Sequence, residues 1–133
     1  MRRISLLLAI IVLGGCATQK IQNALQPTLD GYAAALRWNG FEPALQYVDP
    51  ATLKAHPLTD LQRARYAQVR VSSYDVQGSR AISDTRVEQM VEIGLINKNT
   101  QAARRITDKE QWRYDAKAQR WWLESGLPEI VAD

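Results

Sequence analysis

The side chains that could do chemistry in this chain are few and far apart. There is one cysteine, Cys16, and one histidine, His56. A lone cysteine cannot close an internal disulfide, and two soft ligands are too few for a zinc, haem or iron–sulfur site, so no cofactor is expected. His56 stands between Ala55 and Pro57, outside any periodic pattern. Without a rigid support and an orienting partner it reads as a loop histidine, not a catalytic base. Asp108 and Glu110 share strand parity with Ile106, Trp112 and Tyr114. On the concave face of a sheet, a carboxylate beside aromatics would have a raised pKa and act as a general base. The opposite register turns Arg105, Thr107, Lys109, Gln111 and Arg113 inward, which suits a core less well. A bulge that switches faces midway sends both acids to solvent, and that is the expectation adopted. Phosphate loops, nucleophile elbows and calcium loops are absent, so no catalytic residue is assigned.

Aromatic and basic residues offer binding chemistry instead. Trp38, Trp112, Trp121 and Trp122 are the four tryptophans. Most tryptophans in so small a domain belong to the core. Trp121 and Trp122 are adjacent on a strand, so they must point to opposite faces. One faces the interior; the other covers the outer sheet and is the best candidate for a partner contact, with Arg113 or Arg120 adding charge. Arg63, Arg65 and Arg70 form one basic group, and Arg104 with Arg105 another. They could meet anionic head groups or a glycan carboxylate, but a solvated surface of mixed charge is the simpler reading.

The use of Cys16 follows from what precedes it. Arg2 and Arg3 open a positive segment, Leu6 to Leu13 is an unbroken apolar run, and Gly14 and Gly15 are small. This is the order of an export signal, and the run is shorter than the roughly 20 apolar residues a membrane-spanning helix needs. Leu13-Gly14-Gly15-Cys16 resembles the lipobox of bacterial lipoproteins. The resemblance implies a signal peptide over 1–15, a diacylglycerol on the Cys16 thiol and an acylated new amino terminus. Two or more acyl chains, at about 0.8 kcal/mol per buried methylene, hold a protein stably on a membrane. By resemblance to Gram-negative lipoproteins, Ala17 implies the outer membrane, with the domain facing the periplasm.

Residues 16–24 read as a short tether, and 25–133 as a single domain. Leu25, Leu29, Tyr32, Ala33 and Leu36 fall on one helical face, which Asn39-Gly40 ends. Phe41 to Val48 is a short helix stopped by Asp49-Pro50; Pro50 and Pro57 bracket a further turn. Thr59-Asp60 caps a third short helix through Leu61 and Ala64. Four strands follow, near Tyr66–Val76, Ala81–Ile96, Ala102–Tyr114 and Arg120–Glu124, with turns at Gln77-Gly78-Ser79, Asn97-Lys98-Asn99 and Asp115 to Ala118. The best alternation is Val87, Gln89, Val91, Ile93, Leu95. Helices followed by long hairpins make an α+β fold with a curved antiparallel sheet of about four strands around the first helix.

That order, ending in Trp112-Arg113-Tyr114-Asp115 and Arg120-Trp121-Trp122-Leu123, resembles the nuclear-transport-factor-like (cystatin-like) superfamily over about residues 25–125. The resemblance implies a roll with a cone between helix and sheet, used by some members for isomerase or dehydratase chemistry and by others for binding. The chain carries 17 basic and 14 acidic residues; loss of Arg2 and Arg3 with the signal leaves 15 against 14, too balanced to imply nucleic acid. The expected function is a membrane-anchored envelope lipoprotein with a non-catalytic domain for another envelope protein or a cell-wall component. The alternatives are a small-molecule binder or a hydrolyase- or isomerase-type enzyme. A closed apolar interior favours the first, an open apolar pocket the second, and a buried carboxylate beside a hydrogen-bonding tyrosine the third.

Overall fold

A computed structural model describes residues 14–131. Residues 1–13, with the charged and apolar segments of the expected export signal, lie outside the described residues. The chain is α+β: an N-terminal helix and three short ones, then an antiparallel sheet in the order β1-β2-β3-β4 that does not close. Strands β1 (Val69–Ser83), β2 (Arg86–Asn97), β3 (Ala103–Asp115) and β4 (Arg120–Leu123) form a meander.

Helix α1 spans Gly14–Ala34 and runs on through a π-turn, Ala35–Asn39. It therefore includes residues 17–24, which had read as a tether. Nothing in that stretch breaks a helix, and Gln19 bonds Asn23 one turn on at 2.8 Å. Pro27 is accommodated inside the helix. The π-turn closes on Gly40, whose φ of +90° suits glycine and whose N–H reaches the Ala35 carbonyl. Leu29, Tyr32 and Leu36 are buried, as their spacing required. Gly31 admits the Tyr47 side chain against the helix; a Cβ there would collide with its hydroxyl.

Helix α2 (Phe41–Ala44) tightens into a 3₁₀ turn over Leu45–Tyr47. Helix α3 (Pro50–Ala55) starts from Asp49, whose carboxylate accepts the Ala51 N–H, with Pro50 in the first turn. Helix α4 (Asp60–Gln68) carries a full capping box between Thr59 and Gln62. That cap carries the helix through Tyr66, which had been placed in the first strand. There Tyr66 stacks on Phe41 at 4.5 Å.

The first turn also differs from its expected place. Gln77-Gly78-Ser79 does not reverse the chain; β1 continues to Ser83 and the reversal is at Asp84-Thr85. The glycine instead lies at one of three register shifts in β1, between Val76 and Gly78. A glycine within a strand often marks such a bulge. β2 and β3 pair without interruption from Arg86↔Arg113 to Ile96↔Ala103. Val87, Gln89, Val91, Ile93 and Leu95 all face inward and are buried, with Trp112, Trp121 and Leu123 beside them.

Candidate functional site

The unbroken β2–β3 register decides where the third strand's acids go. Val91 lies opposite Asp108, and Gln89 opposite Glu110. Both acids therefore share the concave face with the core. The expected bulge in β3 does not exist, and the reading that sent both acids to solvent is corrected. The apolar residues across the ladder hold the register, because a slip of one residue would turn Val87, Val91 and Ile93 outward.

Glu110 is fully buried. Its Oε1 accepts from the Tyr74 hydroxyl at 2.5 Å and its Oε2 from Trp112 Nε1 at 3.1 Å. Tyr32 lies edge-on to Trp112 at 5.3 Å and to Tyr74 at 6.3 Å. Burial pushes Glu110 up to about 7, although both donors favour its charged form. Asp108 is half-buried and is pushed by burial to about 6. Burial, aided by the nearby acids, raises Tyr32 and Tyr74 well above the usual tyrosine value, and Tyr66 to about 12. Two buried polar atoms here have no hydrogen-bond partner among the described residues: the Tyr32 hydroxyl and Asp108 Oδ2.

The outer face collects the residues read as contacts. Trp122 lies opposite Arg113 on β3, and its Nε1 donates to Asp115 at 3.3 Å. The Arg120 guanidinium stacks 3.6 Å above the Trp122 ring and donates to the Gln46 carbonyl at 3.0 Å. Trp122, Arg113 and Arg120 are thus neighbours. Trp121 points inward, and its Nε1 donates to the Ile21 carbonyl of α1 at 3.0 Å.

Arg113 is held by Asp49, Nε to Oδ2, at 2.5 Å. The Arg113 hydrogen bond, together with the Ala51 N–H, holds the Asp49 carboxyl below its ordinary range despite burial. An open groove of about 750 Å³ runs beside α3, lined in part by Asp49, Thr52, His56, Arg86, Arg113 and Glu124. His56 ends α3 and is exposed there. In the two other basic groups Arg63 pairs with Glu42 and Arg105 with Glu92 at 2.9 Å, and in the groove Arg86 pairs with Glu124 at 2.7 Å. Trp38 is the most exposed large hydrophobic side chain described, 75 % accessible, with Arg37 over its ring. Cys16 is exposed in the first turn of α1.

Two features escaped the sequence reading. Asp49 was read only as a helix stop, yet Asp-Pro at a helix start also signals an N-cap, and the carboxylate's second oxygen anchors Arg113. Tyr74 gave no signal, because its partner Glu110 had been turned outward.

Neither a family model nor a curated protein matches the chain.

Proposed function

We propose that this chain is a lipid-anchored envelope protein whose domain binds another envelope protein or a cell-wall component without catalysing a reaction. The observation that carries the non-catalytic half is the state of Glu110. It is fully buried, and each of its oxygens is taken by a donor from the protein's own side chains. A general base needs its proton acceptor within reach of a substrate. Trp112 donates to Glu110 and Tyr32 lies edge-on to that ring, each at most 1 % exposed. Binding then falls to the outer face, where Trp122, Arg113 and Arg120 gather beside the groove.

The anchor half rests on the lipobox-like Leu13-Gly14-Gly15-Cys16 and its charged, apolar lead-in. Ala17 favours the outer membrane, with the domain on the periplasmic side. The test is metabolic labelling with a tagged fatty acid, followed by membrane fractionation. Wild type takes up label and sediments with membranes, whereas Cys16→Ser does neither. Equal labelling of the two proteins removes the anchor. Capture from solubilised envelope, compared between wild type and Trp122→Ala, tests the binding surface.

A second reading, an isomerase- or hydrolyase-type enzyme or a small-molecule binder, draws on the buried Glu110 with its hydrogen-bonding Tyr74, the pair expected of an enzyme, and on Asp108. Asp108 is half-buried and pushed up to about 6, and its Oδ2 is unpartnered. A small molecule that protects Asp108 from carbodiimide modification would favour that reading over the first.

A further inference from the structure

The two edges of the sheet are finished differently. The β4 edge is closed by the chain itself: Val48 bridges Leu123, the Asp49 N–H donates to the Leu123 carbonyl at 3.0 Å, and Thr52 Oγ1 donates to the Glu124 carbonyl at 2.8 Å. The β1 edge pairs on one side only, with β2. From Asp75 to Ser83 it is exposed throughout, with Val76 50 % and Ile82 52 % accessible. An open edge of this length is a template for another strand.

We infer that the β1 edge is a self-association surface, on which β1 of a second copy pairs antiparallel across a two-fold axis between Gln77 and Gly78. The register follows from faces and charges. Asp75, Gly78 and Arg80 lie opposite Glu92, Met90 and Glu88, the outward residues of β2. Tyr74, Val76, Ser79 and Ala81 lie opposite its inward residues Ile93, Val91, Gln89 and Val87. Opposed residues of an antiparallel pair must share a face. With the axis between Gln77 and Gly78, Tyr74 meets Ala81, Asp75 meets Arg80 and Val76 meets Ser79 of the second copy, each pair on one face. A shift of the partner by one residue sets Asp75 against an inward position and fails.

Each interface of this kind holds two Asp75–Arg80 contacts, because the surface is isologous. The Asp75 carboxylate has no ion pair among the described residues, and the exposed Arg80 makes only a 3.4 Å contact with Glu88, which Lys109 also meets at 3.4 Å. The bulge at Gln77 falls on the axis, and the other two, at Ser72 and Ile82, lie outside the paired stretch 74–81. Gly78 leaves open space where a second backbone would approach.

Analytical ultracentrifugation of the full chain in detergent tests this, with circular dichroism confirming that each variant is folded. Wild type forms a concentration-dependent dimer. Asp75→Arg and Arg80→Asp each bring like charges face to face and weaken it by about tenfold, which corresponds to about 1.4 kcal/mol. Mixing the two single variants restores a dimer between them, and the double variant Asp75→Arg/Arg80→Asp restores self-association. A wild type that stays monomeric to about 100 µM, a range in which a 10 µM dimer would be evident, overturns the inference. So does a dimer insensitive to both charge reversals, which would place the contact elsewhere, or capture of an extended segment of a different protein by monomeric wild type.

Discussion

Trp121 and Trp122 are consecutive residues with opposite fates. Trp121 is fully buried, packs edge-on against Tyr114 at 5.6 Å and ties β4 to α1 through the Ile21 carbonyl. Trp122 is half-buried, lies under Arg120 and spends its N–H on Asp115, seven residues back. One residue joins layers of the fold, and the other decorates a face. The same division holds along β3, where Glu110 and Trp112 are locked into the interior while Arg113 lines an open groove. Stability is therefore concentrated on the concave side, and the side chains with contact surface to spare are on the convex side.

The largest test of that division is Trp112→Ala. The ring is 1 % exposed and holds both Glu110 and Tyr32. Its loss should cost roughly 3–5 kcal/mol, read from denaturant melts. An unchanged melt would mean that the concave face is not the core.

Next comes pH. Glu110 is raised from an ordinary 4.5 to about 7, and Asp108 from 3.8 to about 6, both by burial. The folded state then holds protons that the unfolded chain has released. Their contribution is fully present below about pH 4 and is lost as pH rises through 6 to 7. For Glu110 alone the loss is about 3 kcal/mol. Chemical melts between pH 5 and 8 should show stability falling with pH, and Glu110→Gln should flatten the fall. A stability that rises over this range would contradict an acid whose charged form is disfavoured by burial.

Asp49→Ala sharpens the comparison from the outer side. It removes the α3 cap and frees Arg113, and should cost about 2 kcal/mol. Thermal melts would show it, and a cost near zero would mean that the Arg113 contact is idle. The smallest effect is expected at the open edge. Val76→Lys, melted at a concentration where the chain is monomeric, should change stability by less than about 0.5 kcal/mol, because nothing within one chain depends on that exposed side chain.

Much of this fold was legible because burial is written as periodicity. The alternation from Val87 to Leu95 and the face from Leu29 to Leu36 both reached the core. Gly78 misled because glycine serves turns and bulges alike, and only the pairing of Ser79, Arg80 and Ala81 with β2 tells them apart. Tyr66 misled because a strand-forming residue was carried into α4 by the capping box that begins two residues after Pro57. The acids of β3 were placed wrongly for a related reason. Two carboxylates on a core face run against residue type, and only the uninterrupted ladder with β2, together with Tyr74 thirty-six residues earlier in the chain, accounts for Glu110 there. Trp121 and Trp122 were legible as a pair, since adjacency forces opposite faces, but which one faced inward depended on the strand's register.

The most direct measurement is therefore made on these two residues. Trp121→Ala and Trp122→Ala, each in the full chain, are compared for melting temperature and for capture of partners from solubilised envelope. The account predicts that Trp121→Ala loses roughly 3–5 kcal/mol of stability. It predicts that Trp122→Ala melts close to wild type but loses a captured partner. The reverse assignment, or a folded Trp122→Ala protein that keeps every partner of the wild type, would contradict the division between a structural inner face and a binding outer one.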